Sequence, residues 1–424
     1  MKRIRAALSL ALALGMMAGG QTARAQDAPA GERAAAPPPG FRTVALGDGP
    51  WTVETEMATL HVERVGDTLD HPWSLAFLPD GGMLVTERPG RLRIIRDGQL
   101  DPQPIAGLPA IFAFGLAGLM DVALHPDFAE NGLIYFSYSK PHPDAGDKPG
   151  VNADTALAVA RAHWDGGHQL SNVEDIFVAA PWYGSEVPER CCGQGPAFGS
   201  YGGRIAFGPD GFLYVTSGDR NYGEMVQDQS NDFGKILRLT DDGKPAPGNP
   251  FAGQEGWQDT IWSTGHRNPL GLYFDPLTGK LWETEFGPRG GDELNLIEKG
   301  VNYGWMDVTQ GHHYNGEAAK GIRAVDGMKD PAFAFGPPSI NPGNIAVYHG
   351  AAFPGWEGDL LMPAMSKSLV RMEVNANGAV TAMETMLEGL EQRLRDVKIA
   401  PDGTVYVLTD ETEGALLKIT PAAE

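Results

Sequence analysis

Cysteine is nearly missing from this chain: there are two in 424 residues, and they are neighbours, Cys191 and Cys192. Adjacent cysteines can close only a strained eight-membered ring, because a disulfide usually needs its Cα atoms about 4.4–6.8 Å apart while a trans peptide holds them at about 3.8 Å. A long-range staple within the chain is therefore excluded. A vicinal disulfide and a reduced pair remain the two alternatives for the loop just before residue 200. With no histidine close by, the pair is also a poor metal site.

Long apolar runs are equally scarce. The one candidate lies in residues 1–25, where Lys2, Arg3 and Arg5 precede a twelve-residue apolar stretch from Ala6 to Met17, followed by Ala23-Arg24-Ala25. Twelve residues fall short of the roughly 18–20 needed to span a bilayer, and the layout is that of a cleaved secretory signal. The expectation is a mature chain that starts at Gln26, is periplasmic or secreted, and has no membrane span. Basic charge is in short supply too, with 33 Lys and Arg against 54 Asp and Glu. So acidic a protein repels phosphate backbones and anionic lipid, which excludes nucleic acid and membrane surfaces as partners. Neutral or cationic small molecules and divalent metals remain allowed.

What is abundant is turn punctuation. Residues 26–50 form an Ala/Pro-rich leader without apolar periodicity. From residue 51 to 424 a proline-containing turn recurs before a short alternating apolar stretch. The turns are Pro79-Asp80-Gly81, Pro126-Asp127, Pro209-Asp210-Gly211, Pro276, Pro354-Gly355 and Pro401-Asp402-Gly403. Period-two runs rich in β-branched and aromatic residues read as antiparallel strands. Six such units, none able to bury its apolar faces alone, predict one all-β domain, a six-bladed β-propeller. The prolines are spaced 47, 83, 67, 78 and 47 residues apart. The middle units therefore carry the long inter-strand loops, which in a propeller gather on one face and build the site.

Four segments carry chemistry. Arg267 and Asn268, in GHRNP, place a fixed guanidinium fork beside a group that both donates and accepts. Arg393 and Arg395, in RLRDV, stand two apart on a strand and so share a face, where two like charges need an anion between them. The Gly287-Pro288 turn can aim carbonyl oxygens at a hard cation. Downstream, the acidic pair Asp292 and Glu293 leads towards Tyr303 and then His312-His313.

With these motifs the chain, from about residue 60 to 420, resembles the soluble pyrroloquinoline-quinone (PQQ) dependent aldose dehydrogenases of the glucose/sorbosone dehydrogenase family. The resemblance implies an oxidoreductase that takes a sugar or related alcohol, uses PQQ and Ca²⁺, and hands electrons to an acceptor. It implies that Arg267, Asn268, Arg393 and Arg395 contact the quinone. It also implies that the carbonyls of Gly287 and Pro288 hold one Ca²⁺, and that Glu293 with the Tyr303 carbonyl holds a second, structural ion.

Three positions depart from the family pattern. Ser200, in SYGGR, stands where the family has its general-base histidine, and a hydroxyl cannot take a proton near neutral pH without a base of its own. Leu116 replaces a glutamine near the sugar. Ser366 replaces a quinone-binding lysine, with Lys367 one place later, where a bulge could restore it. His312 and His313 are the candidate substitute bases, while His71 and His266 read as packing or supporting groups. The competing readings are a Ca²⁺-dependent propeller hydrolase of lactones or esters, with Asp121, Asp219 and Asn268 as ligands, and a binding protein that has kept the scaffold and lost turnover.

Overall fold

Each recurring proline turn joins the first two strands of an antiparallel sheet, and the reason is local. In the first unit Gly81 N–H donates to the Leu78 carbonyl, Leu78 N–H donates to the Gly82 carbonyl, and the Asp80 carboxylate accepts Gly82 N–H at 2.9 Å. Gly81 sits at φ +87°, a left-handed conformation that L side chains resist. Asp210-Gly211 and Asp402-Gly403 repeat the arrangement, with the carboxylate capping the residue two places on and the glycine again at positive φ.

The computed structural model describes residues 44–144, 154–183, 199–313 and 320–423. The expected signal, most of the leader, and Cys191-Cys192 lie outside the described residues. Strands β1 (Trp51–Glu54) and β2 (Thr59–Leu69) come first. The first blade follows with β3 (Pro72–Phe77), β4 (Met83–Glu87), β5 (Arg91–Arg96) and β6 (Gln99–Leu100). The second holds β7 (Leu119–Leu124), β8 (Leu133–Pro141), β9 (Thr155–His163) and β10 (Ser171–Val178). The third holds β11 (Gly202–Phe207), β12 (Leu213–Ser217), β13 (Lys235–Leu239) and β14 (Ile261–Thr264). The fourth holds β15 (Pro269–Phe274), β16 (Leu281–Glu285), β17 (Asp292–Ile297) and β18 (Phe333–Phe335). The fifth holds β19 (Ala346–Val347), β20 (Leu360–Ala364), β21 (Ser368–Val374) and β22 (Val380–Met386).

The sixth sheet takes β23 (Leu394–Ile399), β24 (Val405–Thr409) and β25 (Gly414–Pro421) from the end of the chain and completes them with β2 and β1 from its start, Val62 standing opposite Ile419. The architecture is the expected six-bladed β-propeller. Its ring is closed by pairing between distant parts of the chain, and β23 packs against β3.

Apolar side chains fill the wedges between blades. Leu75, Val85, Leu408 and Leu416 lie between the last blade and the first, and Leu84, Leu92, Phe136 and Tyr138 between the first and second. Each such aliphatic or aromatic side chain contributes about 1.5–3 kcal/mol on burial. Five of the innermost strands carry a register shift near their start, at Pro72/Ser74, Leu119/Val122, Gly202/Ile205, Pro269/Gly271 and Leu394/Asp396. A bulge re-aims the residues it contains. Those residues, among them Trp73, Asp121, Arg204, Leu270 and Arg395, are the ones that meet at the centre.

Candidate active site

The antiparallel register fixes which face can hold a site. Pro72 pairs with Glu87, Gly202 with Ser217, Pro269 with Glu285 and Leu394 with Thr409. The start of each innermost strand therefore lies at the same end of the blade as the finish of the second. His71, Ser200, Arg267-Asn268 and Arg393 precede innermost strands, while Arg88, Asp219, Phe286-Gly287, Lys367 and Asp410 follow second strands. All belong to one face. Backbone in the left-handed region gathers here too, at His71, Ser200, Arg220, Asn221, Arg289, Asn341 and Lys367, as it does where side chains are held for function.

Beneath this face lies a buried polar hub. The Arg204 guanidinium reaches Asp396 at 3.2 Å and Asp121 at 3.4 Å, donates to the Leu270 carbonyl at 2.7 Å and lies over the Trp73 ring at 4.1 Å. Asp121 also accepts from Ser74 Oγ and from the N–H groups of Val122 and Ile205. With its oxygens so engaged, Asp121 ties blades together and has little left for a metal, which makes it a poor candidate among the ligands named for the hydrolase reading.

On one flank of the face the charge is positive. Arg395 Nη2 lies 2.8 Å and Arg393 Nη2 3.1 Å from the same oxygen of Asp410, and Arg88 and His71 approach its other oxygen at 3.7 and 3.4 Å. The anion between the two strand arginines is thus internal, yet one carboxylate faces three guanidiniums. Burial pushes the Asp410 carboxyl up, but Arg395, His71, Arg88 and Arg393 together hold it well below the usual carboxylate range. Burial also pulls Arg395 down to about 10, with Arg88 and Arg393 repelling it. Lys367 sits in the β20–β21 turn on the same face, partly buried at φ +77°. It therefore occupies a turn rather than the regular strand position that would have faced it away.

Across the face stand Ser200, Asp219 and Arg267. Ser200 Oγ donates to Asp219 Oδ1 at 2.5 Å, and Trp305 Nε1 donates to Asp219 Oδ2 at 2.7 Å. Burial raises the Asp219 carboxyl above its usual range although Arg267, Ser200, the Asn221 N–H and Trp305 all pull it down. Arg267 donates to the Phe286 carbonyl at 2.9 Å and lies 5.5 Å from the centre of the Trp305 ring. Asn268 accepts Gly202 N–H through its side-chain oxygen at 3.1 Å.

The third group is acidic. Glu283, Glu285 and Glu293 are all buried, and Asn295 donates to Glu283 at 3.0 Å and Glu293 at 3.2 Å. Burial, reinforced by mutual repulsion, raises Glu283 and Glu285 well above the ordinary glutamate range, and burial pushes Glu293 up to about 7. His266, Glu283 and Glu285 bring ligand atoms within 4.8 Å of one another. Glu283 Oε1, Asn295 Oδ1 and His266 Nδ1 have no hydrogen-bond partner among the described residues. Burial holds His266 neutral, its pKa pulled to about 3 with the Lys235 charge adding to the effect, and its ring stacks on Tyr303 at 5.0 Å. A cavity of about 10 Å³ opens beside Arg267, Glu285, Gly287, Glu293 and Trp305, room for one water-sized occupant.

The Gly287-Pro288 loop is tightly folded. A Cβ on Gly287 would meet the Gly290 and Gly291 carbonyls at 2.3 Å. Asp292 is used up in holding this loop, accepting from Gly287 N–H, Ile340 N–H, Asn341 N–H and Ser339 Oγ. The Pro288 carbonyl accepts His312 N–H at 2.8 Å, the His312 ring is exposed, and His313 stacks on Trp305 at 5.3 Å. Neither ring has Ser200 among its described contacts. Leu116 is 48% exposed and Phe114 43%, both in the loop that enters β7 on this face.

Sequence reasoning missed Asp410, Glu285 and Arg88, and it saw Asp219 only as a metal ligand. A partial signal was present: MLVTE and LWETE end second strands on Glu87 and Glu285, while in LYVTSGD and VYVLTD the acids Asp219 and Asp410 fall two places and one place past the strand end. Aligning the repeats by register would have matched Glu87 and Glu285 with Ser217 and Thr409, so Asp219 and Asp410 would not have stood out.

Comparison with known proteins places this arrangement. The family model described as Glucose / Sorbosone dehydrogenase matches residues 69–418. The aldose sugar dehydrogenase YliI of Escherichia coli K12 is 40% identical over 370 residues, covering 86% of this chain and 94% of the relative. The solved apo structure of the soluble E. coli aldose sugar dehydrogenase superposes with a TM-score of 0.77 at 37% identity, covering 86% of this chain and all of that one. The PQQ-bound aldose sugar dehydrogenase of Streptomyces coelicolor gives a TM-score of 0.68 at 28% identity, covering 88% and 99%.

Proposed function

Because the chain belongs to the glucose/sorbosone dehydrogenase family, we propose that it is a PQQ-dependent oxidoreductase of an aldose or related alcohol, with Ca²⁺ as its metal. The observation that carries this reading is the positive flank. Three guanidiniums share the buried Asp410 carboxylate, with the half-buried Glu411 accepting Arg393 N–H at 3.2 Å, and this balance favours an anionic ligand. A plain hydrolase or a silent scaffold has no use for such a surplus. Its geometry suits a quinone that carries carboxylates.

In this reading Arg393, Arg395 and Lys367 bind carboxylates of the quinone, while Arg267 and Asn268 orient it from the opposite side. The Gly287 and Pro288 carbonyls offer oxygens to one Ca²⁺, Pro288 with one lone pair already given to His312 N–H. The acidic pocket fits a second cation: three buried carboxyls raised by burial, together with acceptor atoms left without donors, are what a hard ion would neutralise. Glu293 and the Tyr303 carbonyl are its proposed ligands, and we add Glu283 and Glu285 to them. When bound, PQQ with its Ca²⁺ supplies an electrophilic carbonyl that accepts hydride.

Leu116 and Phe114 put an apolar rim where a sugar-binding amide would stand, which favours a substrate with an apolar portion next to the reacting hydroxyl. The charged, then apolar, then Ala-x-Ala layout of residues 1–25 supports export. Among the described residues no helix is long and apolar enough to cross a membrane. The test is to mix the protein with PQQ and Ca²⁺, remove free quinone by gel filtration and record the visible spectrum. Stoichiometric, chelator-sensitive retention is expected, and no retention would end the oxidoreductase reading.

A further inference from the structure

The residue at the family's base position has lost its imidazole but not its acceptor. Ser200 has one hydroxyl hydrogen, and two oxygens compete for it: Asp219 Oδ1 at 2.5 Å and the Arg267 carbonyl at 3.3 Å. The shorter, charge-assisted bond takes it. Ser200 Oγ is thereby left with lone pairs and no hydrogen of its own to offer, so towards any further group it is an acceptor.

The rest of the site holds this pair still. Ser200 sits at φ +57°, its carbonyl accepts Arg220 N–H at 3.0 Å, and Gly218 packs so closely that a Cβ there would meet the Ser200 carbonyl oxygen at 2.2 Å. Asp219 is clamped by the Asn221 N–H at 2.7 Å and Trp305 Nε1 at 2.7 Å. The charged groups facing it are Arg267 and Arg220, both buried. Such a cage fixes the direction of the Ser200–Asp219 bond.

We propose that Ser200 and Asp219 form a proton relay that replaces the missing histidine. This rests on the oxidoreductase reading above. The substrate hydroxyl gives its proton to Ser200 Oγ while Ser200 gives its own to Asp219 Oδ1. The C–H electron pair leaves with its hydrogen as hydride to the quinone, which is reduced as C–O becomes C=O. Ser200 is the catalytic residue, and Asp219 acts through it as a positioning residue and proton acceptor. Burial, by raising the Asp219 carboxyl, makes it a better base than an exposed aspartate.

The test compares wild type with Ser200→Ala, Ser200→His and Asp219→Asn. Quinone retention is measured first in every variant, because the relay requires the cofactor to bind normally without it. Next, an infrared pH titration of the quinone-free protein reads the carboxyl band of Asp219, identified by its loss in Asp219→Asn. Its midpoint is expected to rise in Ser200→Ala, since a bond that favours the ionised form has gone. Finally, reduction of the bound quinone is followed with D-glucose and with a panel of primary alcohols.

Ser200→Ala is expected to lower kcat by about 10²-fold or more with little change in KM. Ser200→His, which restores an imidazole above Asp219, is expected to recover turnover and shift the pH profile towards the histidine range. Wild-type kcat and pH profile in Ser200→Ala with full quinone retention would overturn the relay and leave the quinoprotein reading standing. An unmoved infrared midpoint would also overturn it, independently of turnover and even if Asp219→Asn folds poorly. No quinone reduction by any of these substrates, with quinone retained, would overturn it as well. Failure of wild type to retain quinone would instead remove the reading on which it rests.

Discussion

Two charge clusters, one half-buried and one buried, share this face, and they are incomplete in opposite ways. Around Asp410 three guanidiniums crowd one carboxylate, whereas the carboxyls of Glu283, Glu285 and Glu293 crowd together beside neutral His266. A protein that needed only stability would have paired the two sets, since an uncompensated buried charge is costly. Keeping them apart, on the fourth blade and the last, is the arrangement expected if one half-site takes an anion and the other a cation. The difference is what the proposed function expects of a face that is finished by ligands of both signs.

The largest expected effect breaks the positive half. Arg395→Met leaves Arg88 and Arg393 to neutralise Asp410, so the fold should survive. Quinone retention should fall by about 30-fold or more, the cost of deleting one partner from a buried charge pair. Spectroscopic titration with PQQ reads this, and unchanged affinity would show the surplus charge to be structural.

The negative half breaks differently. Glu293→Gln removes a carboxyl that is destabilising when ionised. The chelated variant should then be more stable than chelated wild type at pH 8, by on the order of 2 kcal/mol, and should gain much less from added Ca²⁺ in thermal denaturation. Equal stabilisation by Ca²⁺ in both would place the ion elsewhere.

A pH comparison sharpens the same point. The folded Glu293 carboxyl lies at about 7 against an ordinary 4.5, so the folded state binds more protons in that window. Below about 4.5 both states are protonated and nothing is lost. As pH rises from there to about 7, the chelated protein should lose stability, because unfolding releases the proton more readily. Ca²⁺ should flatten that fall, and denaturation midpoints from pH 4.5 to 8 with and without chelator would show it.

The smallest effect concerns the rim. Leu116→Gln, at an exposed position, should change stability by less than about 0.5 kcal/mol and lower KM for aldoses several-fold. Steady-state kinetics with aldoses and alcohols would reveal a shift in preference, and none would separate Leu116 from substrate.

The propeller was legible because its turns are chemically demanding. Gly81, Gly211 and Gly403 adopt a backbone that few other residues accept, and Asp80, Asp210 and Asp402 cap them, so the punctuation had to be written into the sequence. The closure of the ring was not legible. Val62 opposite Ile419 is a pairing between distant segments, and nothing local to either announces its partner. The site divides in the same manner. Arg267, Asn268, Arg393 and Arg395 stood out because they lie in recognisable motifs. Asp410 and Glu285 look in sequence like ordinary solvated acids at strand ends, and only packing shows them buried. Ser200 read as a loss until the structure set Asp219 beneath it.

The most direct test of two half-sites of opposite sign is a calorimetric titration of the chelated protein with Ca²⁺, run without and with stoichiometric PQQ. One bound ion is expected without the quinone, at Glu293 and its neighbours, and a second at Gly287-Pro288 only when the quinone is present. The same stoichiometry in both titrations, or no binding in either, would contradict this expectation.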